Sequence, residues 1–180
     1  MRKDLFKKIE IPEGINVSIE SSLIKIQGPE GELSRSFNPE RVNVEKSGNE
    51  IVVGREKSTK NEKKMTNTFE SHIKNMIKGV QKKYEYKLKI CHGHFPFTLK
   101  QEGRKVFIKN FLGEKVEREL KVPEGVDIEI KKEIIEVKST SKELAGQASA
   151  NFETATKIRG RDRRIFQDGI YIIEKDGKKI

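Results

Sequence analysis

The stretch Ile24-Lys-Ile-Gln-Gly-Pro-Glu-Gly-Glu32 returns 82 residues later as Val106-Phe-Ile-Lys-Asn-Phe-Leu-Gly-Glu114. Two alternating apolar residues and a Gly-Glu pair keep their spacing in both copies. Downstream, Val42-Asn-Val44-Glu45 returns as Val126-Asp-Ile128-Glu129, and Phe69-Glu70-Ser71 returns as Phe152-Glu153-Thr154. The offset drifts only from 82 to 84, so short insertions bring the halves into line. One unit written twice predicts two tandem domains of similar fold, residues 1–82 and 83–180. Such a duplicated frame is a rigid support. An active site, by contrast, needs unlike residues gathered in one cleft.

Around the repeat the apolar residues alternate: Ile9 and Ile11, then Ile15, Val17 and Ile19, then Ile24 and Ile26. A period of two with polar residues between predicts strands with one buried and one wet face. Pro12-Glu-Gly14, Ser21-Ser22 and Gly28-Pro-Glu-Gly31 punctuate them as turns. Val42 with Val44, and Ile51 with Val53, add strands joined across Ser47-Gly48-Asn49, a connection short enough to demand antiparallel neighbours. From about Asn61 the period changes. Met65, Phe69, Ile73, Met76, Ile77 and Val80 fall in steps of three and four, an amphipathic helix ending near Gly79.

The second half repeats the scheme. Tyr86 to Ile90, Phe95 to Leu99, Val106 and Ile108, Leu120 and Val122, Val126 to Ile130, and Ile134 to Val137 read as strands. A helix follows, opened by the capping-box pattern Thr140-x-x-Glu143, with Leu144, Ala148, Phe152 and Ala155 as its buried stripe. Gly169 to Ile173 forms a last strand, and residues 176–180 are expected to fray. The fold class is α+β, two tandem similar domains, each an antiparallel sheet packed against one α-helix.

The charge balance narrows the function. There are 38 Lys+Arg against 28 Asp+Glu, a net +10. The cations are spread evenly between the halves but not within the second. Lys157, Arg159, Arg161, Arg163 and Arg164 fall within eight residues, opposed only by Asp162. The helix macrodipole explains one or two cations in a last turn, but the arginines after Gly160 lie beyond it. Arginine makes bidentate phosphate contacts, and phosphate binding scales with the charges that reach one backbone together. The run therefore points to nucleic acid. With no helix-turn-helix or zinc-finger pattern to enter a major groove, RNA is preferred and no DNA partner is expected.

Other constellations carry less. Cys91, His92 and His94 resemble part of a metal site, yet structural zinc takes four ligands and His72 is the only other histidine. A buried thiol beside two polar or RNA-facing imidazoles is the preferred reading, with no metal and no cofactor. Gly28-Pro-Glu-Gly31 matches a bare Gly-x-x-Gly, but strands rather than helices flank it, and its glutamates repel phosphate. No serine or cysteine sits in a nucleophile motif, so no enzyme activity is expected. The single cysteine excludes an internal disulfide framework and fits a reducing, cytoplasmic setting. Neither a signal peptide nor a bilayer-length apolar run is present, so no membrane partner is expected. A rival reading makes the Met65-to-Val80 helix a protein–protein docking module of the translation machinery.

Asn75-Met-Ile-Lys-Gly-Val80, Gly93-His-Phe-Pro96, Asn110-Phe-Leu-Gly-Glu-Lys115 and Arg161-Asp-x-Arg-x-Phe-Gln-Asp-Gly-Ile-Tyr171 together resemble the universal large-subunit ribosomal protein L-six family. The match is to its archaeal and eukaryotic branch, the eukaryotic L-nine type, and runs the length of the chain. Thr154 departs from the Gln expected of that pattern. The resemblance implies a structural constituent of the large ribosomal subunit. It would bind the 3′ domain of large-subunit rRNA near the sarcin–ricin loop and the translation-factor docking region, and support subunit assembly. Neighbouring large-subunit ribosomal proteins would adjoin it, with translation factors nearby. Carried over by position, the rRNA contacts are Gly93, His94, Lys109, Asn110, Lys115, Lys157, Arg159, Arg161, Arg163 and Arg164.

Overall fold

A computed structural model describes residues 3–162 and 164–180. The chain divides into two compact units, Met1–Lys83 and Tyr84–Ile180. The first contains strands β1 (Lys3–Glu10), β2 (Asn16–Glu20), β3 (Leu23–Gly28), β4 (Gly31–Ser36), β5 (Asn43–Ser47) and β6 (Glu50–Ser58), then helix α1 (Lys60–Gln81). The second contains β7 (Tyr84–Cys91), β8 (Thr98–Glu102), β9 (Lys105–Lys109), β10 (Arg118–Lys121), β11 (Asp127–Lys131), β12 (Ile134–Ser139), helix α2 (Lys142–Ala155), β13 (Gly169–Lys175) and β14 (Lys178–Lys179).

Every ladder is antiparallel, and the duplication is complete in topology. The first unit pairs β1-β6-β5 and β2-β3-β4; the second pairs β7-β12-β11 and β8-β9-β10 in the same order. The α+β class stands, with one refinement: the strands of each unit divide between two sheets. Among the described residues, only unit two adds a further strand, β13, along the outer edge of β7, with β14 beside it.

Burial follows the two periods. Ile24, Ile26, Val42, Ile51 and Val53 are fully buried beneath α1, whose Phe69, Ile73, Met76, Ile77 and Val80 are buried too, with Met65 packed at the margin. That stripe is core, so the helix face nominated for protein docking is not available. Gly28 explains how closely α1 lies. A Cβ there would stand 2.9 Å from both Val80 Cγ2 and the Val80 carbonyl, which accepts from Glu30 N–H at 3.0 Å. In unit two the small residues Ala145 and Ala148 are buried on α2 with Phe152, against Leu88, Ile135 and Ile170.

Three local expectations change. The strand expected from Phe95 starts only at Thr98, because Gly93–Pro96 is a loop tied to other segments and Pro96 has no N–H for a ladder. Phe97 still turns inward, edge-on to Phe111 at 5.3 Å, while Phe95 is exposed. Helix α2 is capped by Ser141, whose hydroxyl accepts from Leu144 N–H at 3.4 Å, not by Thr140. The capping box belongs instead to α1, where Thr59 N–H donates to Glu62 at 2.5 Å. Residues 176–180 do not fray. Asp176 and Gly177, both with positive φ, make a two-residue turn into β14, and Ile180 N–H donates to Ile173 O at 3.0 Å.

Candidate nucleic-acid interface

Three segments far apart in sequence meet on unit two: the loop 92–97, the turn 109–117, and the run 157–168. Each follows a regular element, β7, β9 or α2, so each starts from a fixed point, and the second includes a short 3-10 turn, Phe111–Gly113.

Asp168 ties the first segment to the third. Its side chain is 1% exposed, and Oδ1 accepts from Gly93 N–H at 2.6 Å and His94 N–H at 2.9 Å. Oδ2 lies 2.7 Å from His94 Nδ1, which must carry the proton because a carboxylate only accepts. Burial pushes the Asp168 pKa up, but the His94 amide, the His94 ring and the Gly93 amide together outweigh it and hold it at about 2. The His94 ring stacks on Phe166 at 4.6 Å, and the Arg161 guanidinium lies 4.9 Å from that same ring.

Arg118 joins the second segment to the third. Its guanidinium donates to Ala155 O at 2.7 Å, satisfying an orphan carbonyl at the end of α2, and forks onto Glu114 at 2.5 and 2.7 Å. It also covers Phe111 at 4.4 Å. The Arg118 hydrogen bond lowers the Glu114 pKa despite opposing burial, with help from the charges of Arg118 and Arg161. Thr156 completes the anchoring. Its buried hydroxyl donates to Phe152 O at 3.1 Å and accepts from Ile170 N–H at 2.9 Å, so the chain leaving α2 is pinned to β13.

The nominated residues distribute unequally over this frame. Gly93 and His94 are fixed at its centre. Asn110 is left-handed, with φ 60°, and its amide donates to Pro96 O at 3.0 Å, closing the first segment onto the second. Lys109 pairs with Glu117 at 2.7 Å. Lys115, Lys157 and Arg159 are exposed. Among the described residues, none of the three has an ion-pair partner. Arg164 is exposed but forks onto Asp162, at 2.8 Å from Nη2, an ion pair that lowers the Asp162 pKa. Arg163 lies outside the described residues. Exposed Phe95, Val116 and Ile165 stand among these cations, one on each segment.

Sequence reasoning missed Asp168, Phe166, Thr156 and Arg118. Asp168 carried a signal, a lone carboxylate entering the apolar strand Gly169–Ile173. The other three are ordinary residue types whose roles depend on contacts 14 or more residues away for Thr156 and 37 for Arg118. Together the segments form a preorganised cationic surface with aromatic and apolar tips, suited to a folded polyanion. Among the described residues, no cluster of His, Cys, Asp and Glu could hold a metal ion. Among the described residues, no helix is long and apolar enough to cross a membrane.

Comparison with known proteins agrees with this architecture. A family model described as Ribosomal protein L6 matches twice, over residues 11–83 and 97–169. "Large ribosomal subunit protein uL6" of Methanococcus vannielii is 44% identical over 172 residues, covering 96% of this chain and 94% of that protein. The protein of that name from Sulfurisphaera tokodaii is 44% identical, covering 96% and 93%. That from Methanosarcina mazei is 42% identical, covering 97% and 99%.

Proposed function

Because this chain belongs to the ribosomal protein L6 family, we propose that it is a structural constituent of the large ribosomal subunit and holds large-subunit rRNA with its second unit. The relatives are named as ribosomal proteins, not enzymes, and the place of work is the ribosome in the cytoplasm. The RNA surface comprises Gly93, His94, Lys109, Asn110, Lys115, Lys157, Arg159, Arg161, Arg163 and Arg164. Its target is the 3′ domain of the rRNA near the sarcin–ricin loop, where translation factors dock, and its grip supports subunit assembly. Neighbouring large-subunit proteins adjoin it.

One observation carries the reading. The Asp168 hub and the His94–Phe166–Arg161 stack fix the basic run that follows α2 against the loop 92–97 before any ligand arrives. Ordering cationic loops costs free energy on binding, and here folding has already met that cost. Arg161 supplies a guanidinium held over the Phe166 ring, 4.9 Å from its centroid, whose N–H donors suit phosphate. Arg164 must exchange Asp162 for phosphate, an exposed pair that costs little to break.

The test is a filter-binding titration against an rRNA fragment of the 3′ domain across a range of salt. Replacing Arg159, Arg161 and Arg164 with Ala should weaken binding and flatten the log–log salt dependence by about two to three, near one per lost phosphate contact. Unchanged affinity and slope would remove these residues from the interface.

A further inference from the structure

The duplication leaves one place unfilled. In unit two the outer edge of β7 is covered by β13; in unit one, among the described residues, no strand pairs with the corresponding edge of β1. From Phe6 to Ile11 the β1 edge shares the register of Glu85 to Ile90 on β7. Ile11 N–H donates to Asn49 O at 2.9 Å as Ile90 N–H donates to Glu133 O at 2.8 Å, and Ile9 faces Ile51 as Leu88 faces Ile135. Antiparallel alternation then sends the backbone groups of Lys7 and Ile9 to β6, and those of Phe6, Lys8 and Glu10 outward. Their counterparts in unit two are Glu85, Lys87 and Lys89. There the Glu85 carbonyl accepts from Asp176 N–H at 2.8 Å, while Lys87 and Lys89 stand opposite Glu174 and Tyr171 of β13.

Beside this edge lies a groove of about 330 Å³ between β1 and the last turns of α1. Ile9 and Ile77 line it, with Lys8, Lys74 and Lys78 against the single carboxylate of Glu10. Phe6, on the same edge, is 51% exposed. We infer that the β1 edge and this groove accept an extended segment of another protein, which adds a strand to the sheet as β13 does in unit two. Strand addition draws affinity from main-chain bonds and specificity from alternate side chains.

The internal copy states the chemistry of the occupant. On β13, Ile170 and Ile172 pair with Ile90 and Leu88, and Glu174 pairs with Lys87 at 3.3 Å between side chains. An incoming strand therefore carries apolar residues opposite Ile9 and Ile11 and an acidic residue opposite Lys8. Lys8 and Lys74 already touch Glu50 at 3.2 Å and Glu70 at 2.7 Å, so the acidic residue joins existing pairs rather than meeting bare charge. Lysines along the edge also explain how β1 avoids indiscriminate pairing.

The experiment uses the full chain and a fluorescein-labelled peptide with the sequence of residues 169–175 and an acidic solubilising tail. The expected result is saturable binding that slows amide exchange at Phe6, Lys8 and Glu10. Lys8→Pro removes an outward N–H without touching the β6 ladder and should weaken binding about tenfold. Should that variant fold poorly, a peptide methylated on its edge-facing amides should lose the same factor against the unaltered protein. Three outcomes overturn the inference: equal affinity for the methylated peptide, protection confined to β7 amides through strand exchange in unit two, or protection of the β1 amides by self-association without peptide.

Discussion

Removing the Asp168 carboxylate is the sharpest perturbation this structure offers. The side chain is 1% exposed and receives three hydrogen bonds, at 2.6, 2.9 and 2.7 Å, from the Gly93 amide, the His94 amide and the His94 ring. Bonds to a charged acceptor contribute about 1.5–3 kcal/mol each, and stranded donors add a desolvation cost. The loop 92–97 is exposed, so it can relax and admit water, which recovers part of the loss. Asp168→Ala should therefore cost about 3 kcal/mol in urea unfolding. Asp168→Asn keeps Oδ1 as acceptor for both amides and turns an NH2 toward the ring, which then needs its other tautomer. It should cost about 1–2 kcal/mol. A pH series adds a second check. The folded carboxyl titrates at about 2, below its ordinary 3.8, so its contribution is complete above the unfolded value and disappears as pH falls from about 4 to about 2. That difference corresponds to about 2 kcal/mol, and the Ala variant should lack this part of the acid limb. A loss below about 1 kcal/mol for Ala, or equal losses for Ala and Asn, would refute the hub.

Three further predictions concern the cores. Gly28→Ala drives a Cβ to 2.9 Å from Val80 backbone and side chain, and should lower stability by about 1–3 kcal/mol in urea, unfolding unit one first. Thr66→Val should move the other way, by about 1 kcal/mol, since the buried Thr66 hydroxyl has no hydrogen-bond partner among the described residues. Burial, with the nearby Asp176 and Tyr86, raises the Tyr84 phenol to about 12. The unfolded chain releases that proton near 10 while the fold retains it, so stability should fall as pH rises from about 10 to about 12. Tyr84→Phe should flatten that limb in alkaline unfolding followed by circular dichroism.

Regular elements were legible wherever side chains alone set the period. The steps of three and four from Phe69 to Val80 lie on one buried stripe of α1, with Met65 at its margin, and Ile24 and Ile26 lie on one strand face, as spacing demanded. Legibility failed where distant contacts decide. Phe95, Pro96 and Phe97 alternate like a strand, but Asp168 and Asn110 hold that segment as a loop. Thr140 and Ser141 are equivalent caps by type; Ser139, bonded to Gly125 O at 2.7 Å and accepting from Ser141 N–H, favours the second. The basic run was visible as charge. What positions it, namely Asp168, Phe166 and Arg118, acts across 37 to 75 residues and leaves no local period. Nor could spacing foresee that Arg164 turns onto Asp162, two residues away.

The register of β13 has a temporal consequence. Gly169 meets Cys91 and Ile170 meets Ile90, so the central strand of the second sheet is flanked on one side only by residues made almost eighty positions later. Unit one, whose ladders all close within Lys3–Ser58, can fold while the rest of the polypeptide is still being synthesised. Asp168 reaches the Gly93 loop only with that same late strand. During translation the nascent chain can thus hold a finished first module before the strand carrying Asp168 closes the second.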